Sequence, residues 1–214
     1  MPFVKTPKIP RATIQRLSVY LEALNTLAHD GAKVVSSEAL ASFCNINAPQ
    51  IRKDLAYFGE FGVRGVGYYV DELSRSISAS LGIDHEWRMM LVGIGSMGRS
   101  ILRHHGMRMH GYRIVGAFDV EPANIGQVVA EVKVQPLSAL KSGEASFEAE
   151  IGVITTRPEQ AQQVSDVLVA AGINAILNFT SSRLSVPSHV FVEYVDFLHH
   201  LYALSFNLSQ NKPQ

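Results

Sequence analysis

The residues best suited to chemistry in this chain are three glycines that follow an apolar stretch. Gly93, Gly95 and Gly98 have the G-x-G-x-x-G spacing, after the apolar residues 89–92. In such a loop the first glycine makes the turn, the second lets the backbone approach a pyrophosphate, and the third packs the helix closely. The first N–H groups of that helix are free to bind phosphate. The pattern predicts a dinucleotide-binding loop made of Gly93, Ile94, Gly95, Ser96, Met97 and Gly98.

An acidic residue follows this loop at a useful distance. The apolar stretch 111–118 predicts a second strand, and it ends in Asp119, 26 residues after Gly93. A carboxylate about 20 residues beyond the first glycine bonds the adenosine ribose in dinucleotide-binding folds. It would repel a 2′-phosphate, so the pattern favours NAD(H) over the phosphorylated cofactor. The alternative is a tight strand–helix turn that binds nothing.

The loop must be positioned by a sheet, and the sequence after residue 83 alternates between strands and helices. We predict strands at 87–92, 112–118, 132–134, 150–156, 175–179 and 190–192, and helices at 96–105, 138–141 and 158–171. This alternation is typical of a parallel sheet covered on both faces, with ligands at the carboxyl ends of its strands. Four residues are therefore expected near the glycine loop: Thr155, Thr156, Asn178 and Phe179.

The N-terminal third has a helix-turn-helix pattern. After a long amphipathic helix that starts at Arg11, residues 36–43 predict a short second helix with a serine cap at its start. Asn47 is expected to cap a third helix over 48–58. In that third helix Ile51, Leu55 and Phe58 recur at helical spacing and are expected in the core. The side chains left to face outward, with types that bind bases or phosphates, are Gln50, Arg52, Lys53 and Tyr57. An ordinary charged helix face is the alternative.

A glycine-rich segment follows the third helix. Residues 59–70 alternate apolar residues with glycines, which predicts a β-hairpin, and three helices followed by a hairpin make a winged helix. Arg64 would then lie at the hairpin tip, where it can enter a minor groove. Asp71 is expected to cap a linking helix from Glu72 to about Leu81.

The C-terminal stretch predicts a helix over 195–208 that is apolar almost all round. Such a helix must be buried widely, so we expect a subunit interface, with the helix swapped between two copies. The fold class is therefore α/β, with an N-terminal winged-helix domain, a Rossmann-like parallel-sheet domain and a swapped C-terminal helix. The expected domains are 1–82, 83–193 and 194–214.

Composition narrows the function classes further. The formal net charge is zero, but residues 1–70 hold eight Lys/Arg and five Asp/Glu, a net of +3. A single cysteine excludes an intrachain disulfide, and without an apolar run of membrane length or a secretory signal we expect a cytoplasmic protein. The adjacent pairs His104–His105 and His199–His200 lack the i, i+4 spacing of metal ligands, so no metal is expected. No serine or cysteine has the surroundings of a nucleophile, so we expect no catalytic residue.

Over essentially its whole length the chain resembles the Rex family of bacterial redox-sensing transcriptional repressors. The most specific stretch is Arg-Lys-Asp-Leu-Ala-Tyr-Phe-Gly-Glu-Phe-Gly at 52–62, and the glycine loop adds to it. Further matching stretches are 9–17, 64–68, 117–119, 176–179, 184–187 and 195–196. The resemblance implies a homodimer with a swapped C-terminal helix that binds operator DNA and is released when NADH binds.

The resemblance also implies residue roles. It implies DNA contacts by Arg52, Lys53 and Arg64 and cofactor contacts by the glycine loop and Asp119, with Phe197 beside the nicotinamide of the other subunit. Arg16 and Asp196 match a polar switch pair. The chain departs from the family pattern at three positions: Ser96 replaces an asparagine, His104 a tyrosine of the switch, and Arg157 a small or apolar residue.

Two other functions remain open on the sequence. An NAD-dependent dehydrogenase with a small accessory domain would need a proton donor near the nicotinamide, for which His104 is the one candidate. A CoA-binding Rossmann module is the other, but Asp119 suits a ribose without a phosphate, whereas CoA carries a 3′-phosphate.

Overall fold

The computed structural model describes residues 9–141 and 148–210, and the chain forms two compact units that divide between His85 and Glu86. The first unit holds the helices α1 (Arg11–His29), α2 (Ser37–Cys44), α3 (Ala48–Leu55) and α4 (Val70–Leu81). Two short strands, β1 (Val34–Val35) and β2 (Tyr68–Tyr69), pair antiparallel.

Both predicted caps of the helix-turn-helix are confirmed. The Ser36 hydroxyl accepts a hydrogen bond from the Ala39 N–H at 3.1 Å, and Asn47 Oδ1 accepts one from the Gln50 N–H at 2.9 Å. These side chains satisfy backbone donors that have no partner inside their helices. They therefore fix where α2 and α3 begin.

The core of the first unit includes α4. Leu17 and Leu24 of α1 pack in one cluster with Ile51 of α3 and with Leu73 and Ile77 of α4, and these five side chains are nearly or fully buried. Ser74 also donates a hydrogen bond to Asn25 of α1 at 3.2 Å. The helix expected to link the domains is thus a structural part of the first unit.

Three expectations for the first unit need correction. Helix α3 ends at Leu55 rather than 58, since the N–H groups of residues 57 and 58 bond carbonyls three residues back in a tighter turn. The hairpin shrinks to a single bridge between Val63 and Gly67, because β2 pairs with β1 instead. Helix α4 begins at Val70, which places Asp71 inside its first turn and not at the cap.

The second unit is built on a seven-stranded sheet with the order β5-β6-β4-β3-β7-β8-β9. Its strands are β3 (Trp87–Val92), β4 (Tyr112–Asp119), β5 (Val128–Val129), β6 (Val132–Pro136), β7 (Ile151–Ile154), β8 (Ala175–Asn178) and β9 (Phe191–Tyr194). All neighbours are parallel except β5 and β6. Without the edge strand β5 this is the 3-2-1-4-5-6 order of the Rossmann fold.

Two helices of the second unit are shorter than predicted. The helix expected over 96–105 is divided into α5 (Ser96–Leu102) and α6 (His105–Met109), separated at His104. After α7 (Ser138–Lys141), a 3₁₀ turn (Pro158–Gln160) precedes α8 (Ala161–Ala170). The connection from β4 to β6 contains the unpredicted strand β5 and no helix over residues 120–131.

Helix α9 (Leu198–Gln210) has no buried residue. It begins three residues later than predicted, where Asp196 Oδ1 accepts the Leu198 N–H at 2.9 Å. Its large apolar side chains are 42–69% exposed, namely Leu198, Leu201, Tyr202, Leu204, Phe206 and Leu208. Among the described residues, no helix has the length and hydropathy needed to cross a bilayer.

Candidate cofactor site and nucleic-acid interface

The glycine loop has the geometry that its spacing predicts. Gly93 has a φ of +101°, and a Cβ there would lie 2.7 Å from the backbone of Thr155 and Thr156. A Cβ on Gly98 would overlap the Gly93 carbonyl oxygen. Gly95, in contrast, has open space where its Cβ would point, and no side chain caps the helix that starts at Ser96. The loop is closed on the side of the sheet and open above Gly95, as a phosphate-binding turn requires.

Asp119 holds this loop against the next strand. Its carboxylate is 7% exposed and accepts the Ile94 N–H at 2.6 Å, the N–H groups of Val120 and Glu121, and Asn124 Nδ2 at 2.9 Å. Four donors match the four acceptor positions of a carboxylate. Asp119 therefore braces the loop through hydrogen bonds within the chain, besides being placed at the end of β4.

No sequence pattern predicted the side chains that support Asp119. Arg99 of α5 donates to Asn124 Oδ1 at 2.8 Å and to Gln127 Oε1 at 2.9 Å, so one arginine ties α5 to the loop after β4. Asn124 in turn reaches Asp119. Their spacing carries no motif, because the contact depends on a turn at residues 121–127 that replaces the usual crossover helix.

The end of β7 packs on the glycine loop. The Thr155 hydroxyl donates to the Gly93 carbonyl at 2.7 Å, so this predicted cofactor residue supports the turn itself. The buried Thr156 hydroxyl oxygen has no hydrogen-bond partner in the described residues, although buried polar groups normally have one. Asn178 bonds to residues 180 and 182 and so shapes the next turn. An open loop and an unpartnered hydroxyl beside it fit a bound dinucleotide.

The residues predicted to contact DNA lie on one segment of the first unit. Arg52, Lys53 and Arg64 are exposed, and Gln50 and Tyr57 are half-buried. Arg64 lies in the turn that the Val63–Gly67 bridge closes, and this bridge is all that remains of the predicted hairpin. Tyr57 follows α3 instead of belonging to it.

Arg52 already has partners inside the protein. Its Nη1 donates to the Ser37 hydroxyl at 2.7 Å and to Glu38 Oε1 at 3.2 Å. The pKa of Glu38 is lowered by a hydrogen bond from the Glu38 backbone, by one from Ser37 and, to a smaller extent, by the one from Arg52. Both side chains of the ion pair are exposed, 51% and 71%, so acceptors on DNA can compete with Glu38 for Arg52.

A buried carboxylate joins α1 to α3. Asp54 is 1% exposed and accepts hydrogen bonds from Thr13, Arg16, Tyr20 and Gln50 at 2.6–3.0 Å. Burial alone raises the pKa of Asp54, but these donors outweigh it and lower the pKa to about 2. Burial and the bond to Asp54 raise the pKa of Tyr20, and Asp54 raises that of Arg16. No role for Asp54 was predicted from the sequence, although it lies four residues after Gln50 and between Ile51 and Leu55.

The predicted switch residues fall in both units. Arg16 belongs to the first and makes its ion pair with Asp54. Asp196 belongs to the second and caps the start of α9, with the His199 imidazole 4.0 Å away. His104 is exposed between α5 and α6, and Phe197 is 66% exposed just before α9. Within the described ranges, no three histidine, cysteine or acidic side chains are grouped to hold a metal.

Family models match both units. Residues 8–56 match the family described as "Putative DNA-binding protein N-terminus", and residues 84–182 match the family described as "CoA binding domain". The Rossmann-like second unit is consistent with the second description.

Full-length relatives are more specific. The chain is 52% identical over 206 residues to the redox-sensing transcriptional repressor Rex of Maridesulfovibrio salexigens, covering 96% of this chain and 99% of the relative. It is 47% identical to the repressor of the same name from Solidesulfovibrio magneticus, covering 99% and 96%. These relatives are named as repressors, which decides against the dehydrogenase alternative.

Solved structures agree with these relatives. A structure titled RSP in complex with β-NAD⁺ and operator DNA has a TM-score of 0.89 and 32% identity, covering 95% of this chain and 94% of that one. RSP in complex with β-NADH has a TM-score of 0.86 and 31% identity, covering 94% and 95%. Since relatives of this identity match almost the entire chain, it belongs to the Rex family of redox-sensing transcriptional repressors.

Proposed function

We propose that this protein binds operator DNA as a homodimer and leaves it when NADH binds to the second unit. The observation that supports this most directly is the similarity, over 95% of the chain, to a repressor solved with both NAD⁺ and operator DNA. The open glycine loop and the helix-turn-helix supply the two sites that such a repressor needs. Because an operator lies on the chromosome, the protein would act in the cytoplasm.

In the proposed cofactor site the backbone carries most of the binding. The N–H groups from Gly95 to Gly98 would hold the pyrophosphate, Ile94 and Met97 would flank it, and Asp119 would accept from the adenosine ribose. To do so, Asp119 would exchange part of its bonding with Asn124 or the residues 120–121. Thr155 would act through the shape of the loop, and Phe197 would cover the nicotinamide from a second copy.

In the proposed DNA complex α3 enters the major groove and the turn with Arg64 reaches the minor groove. Gln50 and Arg52 would contact base edges, and Lys53 and Tyr57 would hold phosphates. A second copy would supply the second half-site. The exposed apolar side chains of α9 support a swapped helix, because water is a poor environment for so many of them.

The proposed switch uses Arg16, His104 and Asp196. NADH can shift the protein between two dimer arrangements only if it binds them with different affinities. An Asp196 carboxylate that pairs with Arg16 in one arrangement and not in the other would link the cofactor to the DNA-binding unit. His104 stands where the family pattern has a tyrosine, so an imidazole would replace a phenol at this point of the switch.

The substitution Arg52→Ala tests whether the proposed DNA site and the proposed cofactor site are separate. Gel shifts on the promoter DNA of its own gene should show lost binding, while a fluorescence titration should show unchanged NADH affinity. Arg75→Ala is the matched control, since Arg75 is an exposed arginine of the same unit on α4. Loss of both activities in Arg52→Ala would mean that Arg52 is structural and that the proposed assignment is wrong.

A further inference from the structure

One contact of the Asp54 cluster joins a core group to a side chain on the DNA-binding helix. Gln50 Nε2 donates to Asp54 Oδ1 at 2.9 Å, one turn apart on α3. Gln50 is the third residue of α3, after the Asn47 cap. In a helix-turn-helix, the N-terminal residues of the second helix are the ones that contact base edges. The contact therefore acts on a residue in a recognition position.

The chemistry of Asp54 permits only one orientation of the Gln50 amide. An ionised carboxylate has no hydrogen to donate, so it can face the NH₂ group of a glutamine but not its carbonyl. Asp54 stays ionised because Arg16 donates two hydrogen bonds to it, at 2.6 Å and 2.8 Å, and Tyr20 and Thr13 add one each. The orientation thus follows from chemistry and not from the assignment of oxygen and nitrogen in the side chain.

The other end of the amide is available. Gln50 Oε1 accepts no hydrogen bond from the residues that the structure describes. The only buried side-chain N or O atoms without partners among them belong to Thr156 and Ser165, so Oε1 of the half-buried Gln50 is in contact with solvent. An acceptor is therefore presented at the start of the recognition helix.

We propose that Asp54 is a positioning residue for base recognition, which holds the NH₂ group of Gln50 inward so that Oε1 accepts from an amino group in the major groove. Only adenine N6 and cytosine N4 offer such a donor there. Adenine fits better, because its N7 can also accept the second hydrogen of Nε2. The inference rests on the proposed function, in which α3 reads DNA.

The test measures base preference in addition to affinity. Duplexes selected from a randomised library by the wild-type protein should contain one adenine per half-site whose preference disappears in Gln50→Ala, while the other positions keep theirs. Replacing that adenine by purine, which lacks the 6-amino group, should weaken wild-type binding about tenfold and leave Gln50→Ala unaffected. This wild-type measurement does not depend on the folding of any variant.

Asp54→Asn tests the positioning role. It should relax the preference at the same base pair, because the amide introduced at this position can face Gln50 either way round. Lys53→Ala is the control and should weaken all duplexes alike. The inference is overturned if Gln50→Ala keeps every base preference, if the wild type tolerates purine, or if a folded Asp54→Asn protein weakens all duplexes equally. Failure of the wild type to bind any duplex would instead overturn the proposed function.

Discussion

Arg52 donates hydrogen bonds to Ser37 and Glu38, so its use on DNA requires an exchange of acceptors. The ion pair is exposed on both sides and contributes little to stability. The ion pair does place the negative charge of Glu38 beside Arg52, which we propose contacts base edges. Glu38 therefore competes with DNA for Arg52.

Glu38→Gln should raise DNA affinity several-fold, because Arg52 loses its competing carboxylate. The free energy of unfolding should stay close to that of the wild type, because exposed ion pairs contribute little to stability. Fluorescence anisotropy of labelled duplex and thermal unfolding measure the two quantities. Glu22→Gln makes the same charge change on the exposed face of α1. An equal gain in both variants would show a general charge effect and no competition for Arg52.

Asp119 accepts hydrogen bonds from four donors of the chain itself, which makes it a structural residue as well as a predicted ligand. Asp119→Asn should therefore lower the stability of the unliganded protein by at least about 2 kcal/mol, since a charge-assisted hydrogen bond contributes roughly 1.5–3 kcal/mol. It should also weaken NADH binding. Urea unfolding without ligand and an NADH titration measure these effects.

Asp166→Asn provides the comparison, because Asp166 is exposed on α8 and accepts one hydrogen bond, from Gln162. If Asp119→Asn left the unliganded stability as unchanged as this control, the brace would not exist. Asp119 would then serve the cofactor alone.

For single residues, the sequence predicted where the functional side chains lie better than it predicted their hydrogen-bond partners. The order Gly93, Gly95, Gly98, Asp119 was sufficient to place a turn and an acid at neighbouring strand ends, because the spacing is set by one strand–helix–strand unit. It did not show that Asp119 holds Ile94, or that Thr155 supports Gly93. Those bonds depend on how close the loop lies to β4 and β7, which no local pattern encodes.

Helices α1 and α3 meet at Asp54, and the acid stability of the first unit depends on that junction. The folded-state pKa of Asp54 is about 2, below its ordinary value of 3.8. A lowered carboxyl pKa stabilises the fold above the unfolded pKa, and this stabilisation is lost as the pH falls through the folded pKa. The junction should therefore lose about 2 kcal/mol between pH 4 and pH 2.

Tyr20→Phe tests this junction. It removes one donor from Asp54, so the pKa of Asp54 should rise and the acid loss of stability should begin at higher pH. Urea unfolding from pH 2 to pH 5, followed by circular dichroism, measures the shift. Tyr69→Phe is the control, because Tyr69 is an exposed tyrosine of the same unit. Identical pH profiles for Tyr20→Phe and the wild type would contradict the role of the junction.

Elements with strong local signals were predicted best. The caps at Ser36 and Asn47 and the buried strand β3 carry their information in adjacent residues. The hairpin after α3 was overestimated, because Tyr68 and Tyr69 pair with residues 34–35 and such long-range pairing has no local signature. The break at His104 was also missed, since residues 96–105 keep a helical pattern through it.

The apolar side chains of α9 are exposed to solvent in the single chain, which is the strongest argument for a second copy. If α9 forms the proposed dimer interface, Leu201→Asp combined with Leu204→Asp should give a monomer, because a charge buried without a partner is costly. Light scattering after size-exclusion chromatography gives the mass. Val128→Asp, at an exposed apolar residue of β5, should not change it. A wild type with the mass of one chain would contradict the swapped helix.

A displacement titration tests most directly whether NADH binding by the second unit is coupled to DNA binding by the first. Labelled promoter DNA bound to the wild-type protein is titrated with NADH and, in parallel, with NAD⁺, and anisotropy reports the DNA that remains bound. We expect release at micromolar NADH and at least about tenfold weaker release by NAD⁺, because a ligand can move the equilibrium between the two proposed dimer arrangements only by binding them with different affinities. Equal effects of the two cofactors, or NADH binding with no loss of DNA, would contradict it.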